Sequence, residues 1–291
     1  MGLYKLFCLI TSQFNLLFFS IIIDVENVLD WYLPHYFQNY GKIFSKIWAS
    51  SAYKGASGEL TTLTSIQHHY LNHITWNQMI YNQETIGACN FTGISITGWS
   101  RYDHFLQICD LLPQAIPSLI VNLQALQYGE VTMQMRMNIS RQLGCRQTIP
   151  WTPEAALKSF IKCTFPGHEI YEIIVEMQIL FDELAKSMEF ARKYMSPISI
   201  QYNYAHKARA KETIEKLETA YDEMNLFKKR FIDACQTIYL EDTINEWLAV
   251  YFMPEFEKLY EYIVAIKKVW QENHWNPRPL PITLKQFPDS V

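Results

Sequence analysis

The chain has 291 residues, of which 49% are hydrophobic, 15% aromatic and 19% charged, with a formal net charge of −4. This composition excludes a disordered polypeptide and supplies enough apolar material for one large domain or two ordinary ones. No Lys/Arg cluster forms a stripe that neutralises phosphates, which speaks against a nucleic-acid partner.

Residues 6–23, LFCLITSQFNLLFFSIII, are strongly apolar behind a thin basic start at Lys5. Thr11, Ser12, Gln13 and Asn15 interrupt the apolar centre and no small-residue cleavage site follows, so a signal peptide is not favoured and a membrane span is marginal. A buried helix or strand fragment, or an irregular start, is the preferred reading of residues 1–24. The run LLFFSIIIDVENVLDWY (16–32) holds one strand, PHYFQNYGKIFSK (34–46) has apolar residues at helical spacing, and IWASSAY (47–53) reads as a strand closing in a turn at Lys54-Gly55. A helix is expected from Thr64 to Met79, with Ile66, Tyr70, His73, Ile74 and Asn77 on one face. A strand ending at Trp99 follows, then a helix through FLQICDLLPQAIPSLIVNLQAL (105–126), kinked where Pro113 and Pro117 remove backbone donors. Strand and helix alternate three times, a pattern that asks for parallel strands with crossover helices.

The character changes after residue 128. Residues 129–168 are loop-rich with short helical pieces, and helical periodicity then runs to about Asn273. Ile170, Ile173, Ile174, Met177, Leu180, Phe181, Leu184 and Met188 keep unbroken helical spacing. Ile214, Leu217, Tyr221, Met224, Phe231 and Ile238 do likewise, and Pro254 interrupts a third stripe, starting a new helix or kinking the old one. Long helices joined by short turns pack antiparallel. The fold class is therefore α/β followed by all-α, divided at 1–24, 25–128, 129–168 and 169–291.

The six cysteines, at 8, 89, 109, 145, 163 and 235, contain no CxxC pair. They read as scattered reduced thiols in a cytoplasmic or nuclear protein rather than as a disulfide framework. The sequons at Asn90 and Asn138 point the other way and are short enough to arise by chance.

The most informative local stretch is GISITGWSRYDHF, residues 93–105. Glycine before Trp99 permits a turn that projects the indole beyond the strand end, where β/α units keep their chemistry. An open indole face suits the apolar C–H patch of a pyranose ring, Asp103 can accept hydrogen bonds from sugar hydroxyls, and Arg101 can pair with Asp103. The bland alternative makes Trp99 core filling and Arg101/Asp103 a solvated pair.

WASSAYKGASGE (48–59), IQHHYLNHITW (66–76) and GISITGWSRYDHFLQICDLLPQAIPSL (93–119), in that order and spacing, resemble a branch of glycoside hydrolase family 20. The likeness covers roughly residues 25–270 and is looser beyond 170. It implies the last three strands or so of a (β/α)8 TIM barrel followed by a helical domain. It also implies exo-β-N-acetylhexosaminidase activity on glycans or glycoconjugates carrying terminal N-acetylhexosamine, without metal or other cofactor; a homodimer is allowed. On this resemblance WYLP, AYKGA and TGW follow the sixth, seventh and eighth strands. Trp99, Tyr53, Asp103 and Trp31 are then the substrate-binding candidates, with Tyr53 a donor near the acetamido or catalytic groups.

The family's chemistry uses an Asp-Glu pair in a strand-end motif His-x-Gly-x-Asp-Glu: the Glu protonates the leaving oxygen and the Asp orients the substrate's acetamido group for attack. That motif is absent, so no catalytic residue is assigned and the chain is expected to be a truncated, inactive form. Asp182-Glu183 and Asp222-Glu223 fall in helical stripes and read as solvated faces. Asp24 and Glu26, two apart after an apolar run, mimic another strand-end carboxylate pair, but the resemblance places Glu26 in the sixth strand, not the fourth. His69 and His73 share a helix face without a third ligand, so packing and hydrogen bonding are preferred over zinc. The competing functions are a non-catalytic helical scaffold and a secreted or membrane-anchored lectin-like module.

Overall fold

The computed structural model describes residues 6–9, 20–24, 33–44, 46–55, 57–58, 61–82, 90–102, 105–158, 161–272, 276 and 278–279. By packing it divides into two units, residues 1–176 with 233–247, and residues 177–232 with 248–291.

In the first unit, β1 (Leu6–Leu9), β2 (Ser20–Asp24), β3 (Lys46–Lys54) and β4 (Phe91–Gly98) form one sheet in that spatial order. β1 is antiparallel to β2, whereas β2, β3 and β4 run parallel. Parallel neighbours need a crossover, and α1 (Leu33–Ile43) and α2 (Ile66–Tyr81) supply the two. Ile47 and Ala49, alternate residues of β3, pack on Phe37 of α1 and on Trp76 and Met79 of α2. The rings of Phe37, Trp76 and Phe91 meet with centroids 5.4–6.3 Å apart, tilted or edge to face as aromatic quadrupoles prefer. Ser65 caps α2, its hydroxyl accepting from the His68 amide at 3.3 Å. The buried face of α2 comprises Ile66, His69, His73, Trp76, Asn77 and Met79. Tyr70 and Ile74, expected on that face, are only half-buried.

The helix after β4 starts later than its apolar spacing suggests. α3 runs Leu112–Tyr128, with Pro113 in the first turn, where the missing N–H has no intrahelical acceptor to lose. Pro117 alone lies inside the helix. Residues Phe105–Asp110 form a loop instead, closed by a bridge between Arg101 and Ile108 and a Tyr102 amide to Gln107 carbonyl bond of 3.1 Å. That loop exposes Phe105 almost completely (96%), so its apolar residues mimic helix spacing without burying a helix face.

α4 (Met133–Gln142) and α5 (Pro153–Leu157) occupy the connection. Here the expectation of reduced cysteines fails: Cys145 and Cys163 form a disulfide. The Thr164 amide donates to Leu143 at 3.2 Å and the Arg146 amide to Lys162 at 3.0 Å, so two segments remote in sequence lie side by side and bring the thiols together. Spacing along the chain carries no sign of this. Cys109 and Cys235 are free and buried. Beside the disulfide, Glu172 accepts from the Cys163 amide and from His168, both at 3.1 Å.

The remaining helices are α6 (His168–Tyr194), α7 (Pro197–Gln201), α8 (Lys207–Cys235), α9 (Glu241–Tyr251) and α10 (Met253–Gln271). Pro254 sits in the first turn of α10, so it starts a new helix rather than kinking an old one. Within the second unit, Phe190 and Tyr194 of α6 face Lys216 and Arg209 of α8 at 3.5 and 5.2 Å. Glu218 and Tyr221 of α8 meet Lys267 and Phe256 of α10. Numbers rise on one helix as they fall on the other, which makes both pairs antiparallel. Phe181, Phe227, Phe252 and Phe256 stack at 5.2–6.1 Å and hold the three helices together. An open groove of about 750 Å³ lies in this unit, floored by Phe181, Leu184, Met188, Ile200 and Ala265. No described helix is long and apolar enough to cross a membrane.

Candidate functional site

The ends of β3 and β4 are adjacent and carry two of the four candidate residues. Register jumps between them: Ala52 pairs with Thr97 and Lys54 with Gly98, leaving Tyr53 as the extra residue of a bulge. A bulge re-aims the side chain it carries. Tyr53 is turned onto Gly98, where an added Cβ would lie 2.6 Å from the phenolic oxygen and 2.7 Å from its ring carbon. Gly98 therefore makes room for the ring. Burial, then the nearby Asp110 charge, pushes the Tyr53 phenol above its ordinary value, so it remains protonated as a donor.

Trp99 follows directly and is half-buried. Its amide donates to the Lys54 carbonyl at 3.2 Å, and the Lys54 ammonium donates to the Trp99 carbonyl in return. Gly55 has φ of +78°, and an added Cβ there would fall 2.6 Å from Trp99 Cβ and 2.8 Å from its carbonyl oxygen. Only glycine accepts both that backbone conformation and that approach.

Beneath these two aromatics lies a buried polar layer that sequence reasoning did not find. Lys54 and Asp110 are each 4% exposed. Asp110 accepts from the Thr64 hydroxyl and from the Gly55 backbone. Burial pulls the Lys54 ammonium down and pushes the Asp110 carboxyl up, outweighing the attraction between them in both cases. His69, buried and 3.4 Å from Ser57 Oγ, is driven down to about 3 by burial first and by His68, His73 and Lys54 after it. It is a neutral imidazole, hydrogen-bonded to the Ala52 backbone. His73 Nδ1 donates to the His69 carbonyl at 2.8 Å. Ser118 of α3 donates to the Tyr53 carbonyl at 2.7 Å, and Asn72 of α2 donates to Ser51 at 2.8 Å. Among the described residues no three His, Cys, Asp or Glu side chains converge as a metal site.

Residues 233–247 return to this unit. Tyr239 accepts from the Leu112 amide at 3.0 Å, and its phenol is pushed up to about 12, chiefly by burial, with Cys235, Tyr53 and Asp110 adding to it. Arg101 is held by both oxygens of Glu246, at 2.5 and 2.8 Å. Its partner is thus a residue far along the chain. Asp103, the expected partner, lies outside the described residues, as do Trp31, Tyr32 and Glu26. Asp24 is the last residue of β2. Asp182, Glu183, Asp222 and Glu223 are exposed on their helices. Lys54 and Asp110 had one readable sign, their proximity in sequence to Tyr53 and to the TGW loop; Tyr239 and Glu246 had none.

Two curated relatives match the chain. Hexosaminidase D of Homo sapiens is 26% identical over 247 residues, covering 82% of this chain and 48% of the relative. Hexosaminidase D of Bos taurus is 46% identical over 101 residues, covering 35% of this chain and 28% of the relative. The chain thus spans about half the length of the human protein, or less of the bovine one. No protein-family model matches it. The likeness to the human protein reaches across most of the sequence, and on these matches the chain is hexosaminidase D-like.

Proposed function

We propose that the paired ends of β3 and β4 form one wall of an N-acetylhexosamine site of the β-N-acetylhexosaminidase type. The observation that carries this reading is the Tyr53 bulge set against Gly98 and followed at once by Trp99, in a chain similar to hexosaminidase D. β2, β3 and β4 are the last three strands of a (β/α)8 barrel in this reading. Trp99 stacks on the apolar face of the sugar ring, and the Tyr53 hydroxyl donates to the acetamido oxygen. By the resemblance, Asp103 accepts from sugar hydroxyls and Trp31 is a further substrate-binding candidate.

The reaction is hydrolysis of a terminal N-acetylhexosaminide with retention. The substrate's acetamido oxygen attacks the anomeric carbon while an acid protonates the departing oxygen, and water then opens the ring so formed. The His-x-Gly-x-Asp-Glu carboxylates that would orient and protonate are not in this sequence. Accordingly the 291-residue polypeptide by itself binds sugar weakly and does not turn it over. The unpartnered far edge of β4, as seen among the described residues, also makes it prone to associate.

Saturation-transfer NMR with N-acetylglucosamine and N-acetylgalactosamine tests the site: transfer is expected in the parent and a loss of about tenfold in affinity in Trp99→Ala. Equal transfer in both proteins removes Trp99 from the site. Release of aryl alcohol from an N-acetyl-β-hexosaminide by the purified chain, confirmed by mass, overturns the inactive reading. The second reading, a non-catalytic helical scaffold, draws on the groove floored by Phe181, Leu184 and Met188. Absence of transfer from the parent chain to either sugar favours it.

A further inference from the structure

We propose that Lys54 and Asp110, two buried charged side chains, are positioning residues that fix the Trp99 backbone so that its indole is presented at one orientation. The inference rests on the reading of Trp99 as a sugar-stacking wall. Its geometric basis is independent of that reading. Trp99 is clamped to Lys54 twice, by its own amide to the Lys54 carbonyl and by the ammonium to its own carbonyl. Gly55, the residue after Lys54, brings the backbone against Trp99 Cβ and offers its amide to Asp110. Asp110 in turn follows Cys109, whose amide donates to the Ser100 carbonyl at 2.9 Å. The loop from Trp99 to Asp110 is therefore pinned at both ends, by the cation at one and the carboxylate at the other.

Stability alone does not explain such a pair. Taking a cation and a carboxylate out of water is costly, and apolar residues of similar volume in place of buried charges are often neutral or stabilising. A hydrogen-bonded ammonium has a directional preference that an apolar filler lacks. Tyr53 would be affected as well, because its phenol lies in the field of Asp110 and its backbone joins Ala52 to Lys54.

The test uses the full chain labelled with 5-fluorotryptophan, the Trp99 fluorine resonance being assigned by its loss in Trp99→Phe. The double variant Lys54→Met with Asp110→Asn removes both charges together and is expected to remain folded. Its Trp99 resonance shifts or broadens while those of Trp151 and Trp247 hold, and saturation transfer to N-acetylhexosamine falls about fivefold. Lys54→Arg with Asp110 left in place keeps a cationic donor and holds the resonance near its parent position. Should the double variant unfold, Thr64→Val decides instead, since it withdraws one donor from Asp110 and leaves both charges. A Trp99 resonance unmoved in the folded double variant, or in Thr64→Val where that variant decides, overturns the proposal. If the parent transfers saturation to no sugar, the sugar reading falls while the fluorine resonance still decides whether Lys54 and Asp110 hold Trp99.

Discussion

His69 shows how a single buried side chain writes itself into the pH response. Its ring stays neutral in the folded chain down to about 3, whereas an exposed imidazole takes a proton near 6.5. The unfolded state therefore binds the extra proton between those values. Stability from this residue is complete above about pH 6.5 and declines as pH falls toward 3, by ~1.4 kcal/mol per pH unit. Asp110, raised by burial, acts in the opposite sense at acid pH, so the His69 contribution is read as a difference. His69→Gln is expected to flatten the fall in melting temperature between about pH 6.5 and 4.5 relative to the parent. Parallel curves for the two proteins would show that the imidazole is not held neutral. Packing and hydrogen bonding of His69 and His73 is the reading the sequence favours, and both are buried on α2; the size of the downward shift at His69 follows from the depth of that burial, which spacing along a helix does not give.

At the level of elements, α2 begins at Ile66, two residues after the Thr64 expected from its apolar spacing, and ends at Tyr81. Ser65 precedes an apolar repeat, and its hydroxyl satisfies one of the first-turn amides. Ser65→Ala is expected to cost about 1 kcal/mol in denaturant unfolding, and Ser65→Asp about nothing, because aspartate caps equally well. Equal loss in both variants would mean the cap contributes no stability. β3 and β4 were legible from their β-branched and small residues between turns, α6 and α8 from unbroken helical periods, and α10 from the third stripe with its break at Pro254. The Tyr53 bulge was not legible, since a register jump depends on the partner strand rather than on the residue that is expelled. The loop Phe105–Asp110 misled for a related reason: Phe105, Leu106 and Ile108 have helical spacing, but the Gln107 carbonyl accepts from the Tyr102 amide and the Cys109 amide donates to the Ser100 carbonyl, beside the Arg101–Ile108 bridge. Half of the candidate site was thus readable. Tyr53 and Trp99 stand out by type and position, whereas Lys54 and Asp110 look like ordinary surface charges until their burial is known.

For the molecule as a whole, the staple between Cys145 and Cys163 ties together segments 18 residues apart. Closing a loop of that size restricts the unfolded chain by about 3 kcal/mol. Cys145→Ser, or reduction of the parent, is expected to lower the stability of the first unit by that order, and reduction should add nothing to Cys145→Ser. A further loss on reducing the variant would mean that another disulfide contributes. The return of residues 233–247 to the first unit has a consequence in time rather than in energy. Arg101 finds Glu246 only after 145 more residues have been polymerised. At ~5–20 residues per second, the ribosome leaves the loop beside Trp99 without its latch for about 7–30 s, so Arg101 emerges as an unmatched cation long before its carboxylate exists.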